Sequence, residues 1–305
     1  MAAESGRLQG LSCQPEPTIP PSGATFTDMI NGDTILIAHL GYPTRSFKAP
    51  LIYNPYFEKI GINAVVMPMG IKSEAYPEFL KGLFKLTNIR GALVTMPHKV
   101  TTVALVDEVS PTAQIAGACN AILLRPDGTL LGDMFDGEGF VRGVRRAGRT
   151  LANARALVIG SGGVGSAIAA SLAGAGISAL ALFDVNSATA DALAMRLRRH
   201  YPRLDVMVGY NDPQGYDIIV NATPMGMNEG DPYPTDVERI TPGAFVGEVV
   251  MTQQFTPFLA AARARGCVTQ VGVDMLFEQI PAYLEFFGFP TTTSDELRRV
   301  AKLRY

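Results

Sequence analysis

The feature that most restricts how this chain can fold is a glycine run set between a strand and a helix. Residues 154–160 (ARALVIG) read as a strand, apolar from Ala156 to Ile159 as a strand covered on both faces has to be. Gly160-Ser161-Gly162-Gly163-Val164-Gly165 follows directly, and a helix of small apolar residues opens within it. A GxGxxG in this position has a task for each glycine. Gly160 permits the tight turn, Gly162 lets the backbone approach a pyrophosphate, and Gly165 lets helix and strand pack closely. Gly163 and Val164 stand at the helix N-terminus, where unpaired N–H groups and a partial positive charge favour phosphate. Asp184 closes the next strand (178–185), 19 residues beyond Gly165. A carboxylate there accepts from ribose hydroxyls and repels a 2′-phosphate. Val185, Asn186 and Thr189 bring no cation that could neutralise such a phosphate, so NAD is favoured over NADP. The competing reading of the run is an ordinary α/β turn with no nucleotide.

The remaining pattern is α/β throughout. With 305 residues, and roughly 100–200 residues to a domain, the chain has room for two. Ahead of the glycine run, strands are predicted at Thr34–His39, 64–70, 91–97 and 120–126, with a return strand TLLGD after the Asp127-Gly128 turn. Helices are predicted from Leu51 to Ile60, capped by Gly61, at 77–88 and around 100–108. Behind the run come strands LDVMVG, 216–223, 243–250 and 267–272. A helix with Asn186 as its cap follows the 178–185 strand, and others fall at TPFLAAARARG, 274–288 and 294–304. This alternation implies mostly parallel sheets with right-handed crossovers, the second one doubly wound. Residues 1–32, rich in Pro, Gly, Ser and Thr, read as a flexible N-terminal tail.

Composition removes other classes. The chain is 47% hydrophobic and 18% charged with a formal net charge of −2, which argues against disorder and against an electrostatic nucleic-acid binder. No run reaches the ~18 uninterrupted apolar residues of a membrane helix. The first residues have neither the basic start nor the apolar stretch of a signal peptide. Cys13, Cys119 and Cys267 are odd in number and lack a CxxC, and His39, His98 and His200 are scattered, so no metal site or disulfide framework is expected. A reducing, cytoplasmic location follows.

Seven blocks carry a resemblance. GALVTMPHK (91–99), GACNAI (117–122), GDMFDGEGF (132–140), GSGGVG (160–165), VNATPMGM (220–227), TPFL (256–259) and GVDMLFEQ (272–279) stand in the order seen in shikimate/quinate dehydrogenases. The similarity spans about residues 33–290. It implies an N-terminal α/β substrate-binding and catalytic domain (33–140), a Rossmann dinucleotide-binding domain (141–273), and C-terminal helices (274–305) packing back toward the first domain. It further implies hydride transfer between a nicotinamide cofactor and a ring hydroxyl of a cyclic hydroxy acid. By the same resemblance Lys99 and Asp136 are the acid–base pair, and Thr95, Asn120 and Gln279 bind substrate. Asn221, Thr223, Met227 and Gly272 face the cofactor. The chemistry is coherent, since oxidising a secondary alcohol needs a hydride acceptor and a proton acceptor. Taken singly, Lys99 also reads as a solvated lysine at a strand end and Asp136 as a helix-capping carboxylate. A monomer or homodimer is expected.

The chain departs from the family around the substrate. Two serines that hold the substrate carboxylate, just ahead of the proline matching Pro50, are Phe47 and Ala49 here. The family asparagine two residues before Asp136 is Met134, the threonine between them is Phe135, and a tyrosine after the GEVV strand is Met251. A hydrogen bond to a charged group is worth roughly 1.5–3 kcal/mol, so two lost contacts cost on the order of 10²–10⁴ in affinity. Arg45 and Lys48, on the same loop, are candidates for a replacement clamp. Two other readings compete with a shikimate-type dehydrogenase. One is a non-catalytic nucleotide-binding or sensor paralogue. The other is a different two-domain nicotinamide enzyme, such as a methylene-tetrahydrofolate dehydrogenase or glutamyl-tRNA reductase, which the PHK, GACNAI and MFDGEGF blocks fit poorly.

Overall fold

The computed structural model describes residues 30–253 and 255–303. Most of the N-terminal tail therefore lies outside the described residues, as does Cys13. Asn31, assigned to the tail from sequence, is built into the fold instead, because its side chain accepts from Asn63 Nδ2 at 3.0 Å.

The first sheet comprises β1 (Ile35–Gly41), β2 (Ala64–Gly70), β3 (Ile89–Val94), β4 (Glu108–Val109), β5 (Ala121–Leu124) and β6 (Leu130–Asp133) in the order β2-β1-β3-β5-β6-β4. It is mostly parallel, as expected, with one reversed strand, since β5 runs antiparallel to both β3 and β6. The tight turn at Asp127-Gly128 allows only an antiparallel return. Along β1, Ile35 and Ile37 enter one core while Ala38 and Leu40 enter the other. Alternate residues are thus apolar on both faces, and the strand reads as one unbroken run.

The helices of this half are α1 (Pro50–Ile60), α2 (Tyr76–Leu83), α3 (Lys99–Thr102) and α4 (Pro111–Ala116). The third is shorter than the 100–108 expected, and the fourth was not predicted. The signals for α4 are local. Ser110 accepts from Ala113 N at 3.2 Å, Pro111 takes the first helical position, and Gly117 closes the helix at φ 66°.

The second sheet is entirely parallel. Its strands β7 (Arg155–Ile159), β8 (Ala179–Phe183), β9 (Asp205–Val208), β10 (Ile218–Asn221), β11 (Phe245–Glu248) and β12 (Val268–Gln270) lie in the order β12-β11-β10-β7-β8-β9. That is the doubly wound arrangement, with the order reversing between β7 and β10, above which a crevice opens. Helices α6 (Gly163–Gly174), α7 (Ser187–His200) and α8 (Pro257–Ala264) cover it. Asn186 does occupy the N-cap position of α7, but its side chain makes no capping hydrogen bond.

Helix α5 (Asp136–Arg146) joins the two sheets, and α9 (Gly272–Phe286) lies across it. The close crossing depends on glycine. A Cβ on Gly137 would collide with the Ala167 carbonyl of α6, and one on Gly139 would lie 2.5 Å from the Met275 carbonyl of α9. From there the chain turns to the first domain. Phe277, Ile280, Leu284 and Phe287 share a core with Ile52 and Phe57 of α1. Helix α10 (Ser294–Val300) extends that packing, and Lys302 N donates to Leu51 O at 2.8 Å.

Candidate active site

A cleft of about 430 Å³ opens between the two sheets. Lys99 reaches it from the first turn of α3, and that turn is held from below. His98 is buried, stacks on Tyr76 at 4.0 Å, and its Nε2 lies 2.9 Å from Ile71 O. The Lys99 carbonyl accepts from Cys119 N at 2.9 Å. With its backbone pinned at both ends, the lysine has only its side chain to move.

Asp136 enters from the start of α5. Its Oδ2 accepts from Lys99 Nζ at 2.6 Å and its Oδ1 from Asn120 Nδ2 at 2.9 Å. Asn120, almost fully buried, uses its own Oδ1 to accept from Phe135 N at 2.9 Å. One amide thus locks both the carboxylate and the helix start that bears it. Thr95, half-buried at the end of β3, and Gln279 of α9 also line the cleft.

Arg45 is exposed and is not among the lining residues, whereas Lys48 is. The pocket departures divide as well. Phe47, Ala49 and Met251 line the cleft. Met134 does not, being buried with Ala113, Cys119 and Ala167, and Phe135 packs against Tyr283 and Phe286 at 4.8 and 5.1 Å. Only the changes on the first loop and at Met251 alter the wall a substrate meets.

Three lining groups were missed from sequence. His39 ends up beside Phe47, with ring centroids 4.0 Å apart, and its Nδ1 has no partner. Burial, and then the Lys99 charge, lower its pKa to about 4. Tyr53 of α1 buries its hydroxyl without a partner, and burial pushes its phenol well up. Tyr283 lies one helical turn beyond Gln279, on the same face of α9. An unpartnered buried polar group costs about 1–3 kcal/mol, so this wall is not arranged for its own stability. His39 could have been flagged by its place near the carboxyl end of a strand, where α/β sheets bind ligands. For Tyr53 the sequence offers no comparable signal.

A second cleft, of about 400 Å³, lies over the glycine turn. Gly160 has φ 99°, and a Cβ there would lie 2.6 Å from Ala222 O. A Cβ on Gly165 would strike the Gly160 carbonyl, so both positions exclude any other residue. Gly162 and Gly163 are exposed with open space where a side chain would stand, and Val164 is half-buried behind them. This leaves a bare N-terminus on the twelve-residue α6. Asp184 accepts from Ser161 N at 2.7 Å and Asn186 N at 2.9 Å, and lines the cleft together with Thr223 and Asp231. Among the described residues no lysine, arginine or histidine lines it. These residues fit a dinucleotide.

Asn221, Met227 and Gly272, expected at the cofactor, are not among the residues lining this second cleft. Asn221 is fully buried. Its Nδ2 donates to Met225 O at 2.9 Å and its Oδ1 accepts from Thr223 Oγ1 at 2.6 Å, so it shapes the loop rather than facing the cleft. Met227 lines the Lys99 cleft. Gly272 is needed for packing, since a Cβ there would strike the Val250 carbonyl.

Among the described residues no group of three or more His, Cys, Asp or Glu could hold a metal ion, and no helix is long and apolar enough to cross a membrane.

Comparison with known proteins agrees with this architecture. Residues 40–122 match the shikimate dehydrogenase substrate binding domain. A shikimate dehydrogenase (NADP(+)) of Rubrobacter xylanophilus is 37% identical over 254 residues, covering 82% of this chain and 89% of the relative. The enzyme of the same name from Acidiphilium cryptum is 33% identical over 273 residues, 89% of this chain and 97% of the relative. The shikimate 5-dehydrogenase of Listeria monocytogenes, solved in complex with shikimate and NAD, superimposes with a TM-score of 0.82 at 25% identity, covering 89% of this chain and 97% of that one. With the fold, the block order and relatives of this identity in agreement, the chain belongs to the shikimate dehydrogenase family.

Proposed function

We propose that this protein is an NAD(P)-dependent dehydrogenase that moves a hydride between the nicotinamide and a ring secondary alcohol of a shikimate-like hydroxy acid, with Lys99 and Asp136 as its acid–base pair. The observation that carries the reading is the 2.6 Å contact between Lys99 and Asp136 in a cleft that adjoins the dinucleotide fold. A nicotinamide, when bound, supplies the hydride acceptor. The chain's own groups handle the proton. Lys99 in its amine form takes the hydroxyl proton, and the Asp136 carboxylate stabilises the ammonium that results. Asn120 keeps that carboxylate turned toward Lys99. Thr95 and Gln279 are the groups within the cleft suited to the ring hydroxyls.

NAD is the cofactor we favour. Two aspartates, Asp184 and Asp231, line the nucleotide cleft with no cation among its described lining residues, and Val185 beside them is exposed. A 2′-phosphate would meet that charge unneutralised. The bacterial relatives carry NADP(+) in their names, while the Listeria neighbour was solved with NAD, so the two cofactors need direct comparison. The unpaired, buried Cys119 and Cys267 suit the reducing cytoplasm.

The test is reduction of NAD+ and NADP+ by purified protein at alkaline pH, with shikimate and quinate supplied separately at millimolar concentration. NAD-linked turnover is expected. Nicotinamide binding without turnover of either acid would favour the non-catalytic paralogue instead.

A further inference from the structure

We propose that His39 and Tyr53 form a hydroxyl-reading wall where the family holds a carboxylate, so that this enzyme oxidises uncharged ring polyols as well as the corresponding acids. The inference rests on the dehydrogenase reading of the Lys99 cleft.

Three cleft-lining side chains, each more than nine-tenths buried, carry polar atoms with no partner: His39 Nδ1, the Tyr53 hydroxyl and Gln279 Oε1. Buried polar groups are nearly always satisfied in folded proteins, and three exceptions at one cavity point to a ligand that completes them. Gln279 already belongs to the expected substrate set. The other two do not, and they bracket the loop that has lost its serines. His39 comes from β1 on one side and stacks on Phe47, and Tyr53 comes from the first turn of α1 on the other.

The chemistry of this wall limits what it can read. A phenol and a neutral imidazole each both donate and accept, and so does an alcohol, whereas a carboxylate only accepts. The Phe47 ring and the Ala49 methyl offer a carboxylate no hydrogen-bond donor, so on this loop an acid would have to rely on Lys48, which lines the cleft between them. Burial and the nearby Lys99 charge keep His39 neutral at pH 7, so it adds no positive charge to hold an acid. The reaction itself does not need that charge. The carbinol C–H leaves as hydride with its electron pair to NAD(P)+, the hydroxyl proton goes to Lys99, and the alcohol becomes a ketone. The far end of the ring takes no part.

Shikimate and its methyl ester share the ring hydroxyls and differ in charge, so their kcat/KM values test the idea. A two-hydroxyl carboxylate clamp would favour the acid by about 10²–10⁴. Here the two are expected to lie within tenfold, and a larger preference for the acid overturns the proposal. Turnover of the acid alone overturns it while leaving the dehydrogenase reading intact. Turnover of neither compound, with nicotinamide still bound, overturns both. Two variants sharpen the result. F47S/A49S is expected to raise the acid-to-ester ratio at least tenfold. Y53F is expected to raise KM about tenfold for both compounds with the nicotinamide KM unchanged. A Y53F enzyme with wild-type KM for both would remove Tyr53 from the wall.

Discussion

The two clefts of this molecule are finished to different degrees. Over the glycine turn most polar side chains are already committed. Asp184 holds two backbone N–H groups, Asn221 is spent on its own loop, and Asp231 accepts from Gly226 N and Asn228 N, each at 3.0 Å. Among the described residues of the turn, Ser161 Oγ stands buried and unpartnered. In the Lys99 cleft the Lys99–Asp136 pair is equally well tied, but the surrounding wall leaves His39, Tyr53 and Gln279 unmet. The nucleotide cleft is rigidified by the chain's own backbone, whereas the Lys99 cleft leaves its completion to a ligand.

The largest expected effect separates the two clefts outright. Lys99→Ala should lower kcat by about 10²–10⁴, the usual yield of general acid–base catalysis, with nicotinamide affinity by fluorescence titration unchanged. A loss below tenfold would remove Lys99 from the chemistry. The reciprocal change is Gly165→Ala, which forces α6 away from the Gly160 carbonyl. Nicotinamide affinity should fall at least tenfold, and overpacking of this kind typically costs about 1–3 kcal/mol of stability, readable by denaturant titration. Intact nicotinamide binding in that variant would show the turn to be more plastic than its contacts imply. A smaller effect is expected from Asp184→Ser, which should narrow the NAD-over-NADP ratio of kcat/KM about tenfold. An unchanged ratio would place cofactor choice elsewhere.

The smallest effects concern pH and run in opposite directions. Burial raises the pKa of Glu248, at the end of β11, to about 7 from 4.5. Between those values the folded chain binds a proton that the unfolded chain does not. Its stabilising contribution is full below about 4.5 and is lost as pH rises through 7. His39, lowered from 6.5 to about 4, does the reverse, and its contribution is full above about 6.5 and lost as pH falls toward 4. Melting curves against pH should therefore lose their neutral-side decline in Glu248→Gln and part of their acid-side decline in His39→Gln. Each kcal/mol involved moves Tm by roughly 2–4 °C. Parallel curves for wild type and Glu248→Gln would mean that Glu248 is ionised in the fold.

Much of this was legible in the sequence, for reasons that differ by region. The second sheet announced itself because its central strands read as apolar runs and its first turn carries the Gly160–Gly165 glycines. The Lys99–Asp136 pair was legible through ordered motifs. The short α4 escaped because six helical residues give too little periodicity, although Ser110, Pro111 and Gly117 mark both of its ends. Phe135 and Met134 were misassigned to the substrate wall because adjacency to Asp136 in sequence says nothing of which way each side chain leaves the backbone. His39 and Tyr53 were out of reach for a deeper reason. Having no partner is a property of a neighbourhood, and no single residue carries it.

Helix α5 ties the two sheets together. Its glycines press it against α6 on one side and α9 on the other, and its first residue is Asp136. A cut at residue 140 or 141 would divide it and strip the dinucleotide-binding unit of Phe140, which packs edge-on to Phe245 at 5.9 Å. Chimaeras that exchange halves between relatives should therefore transfer α5 together with α6 and α9. In recombination terms, the natural unit of inheritance is this three-helix seam, and the sheets on either side are what can be traded.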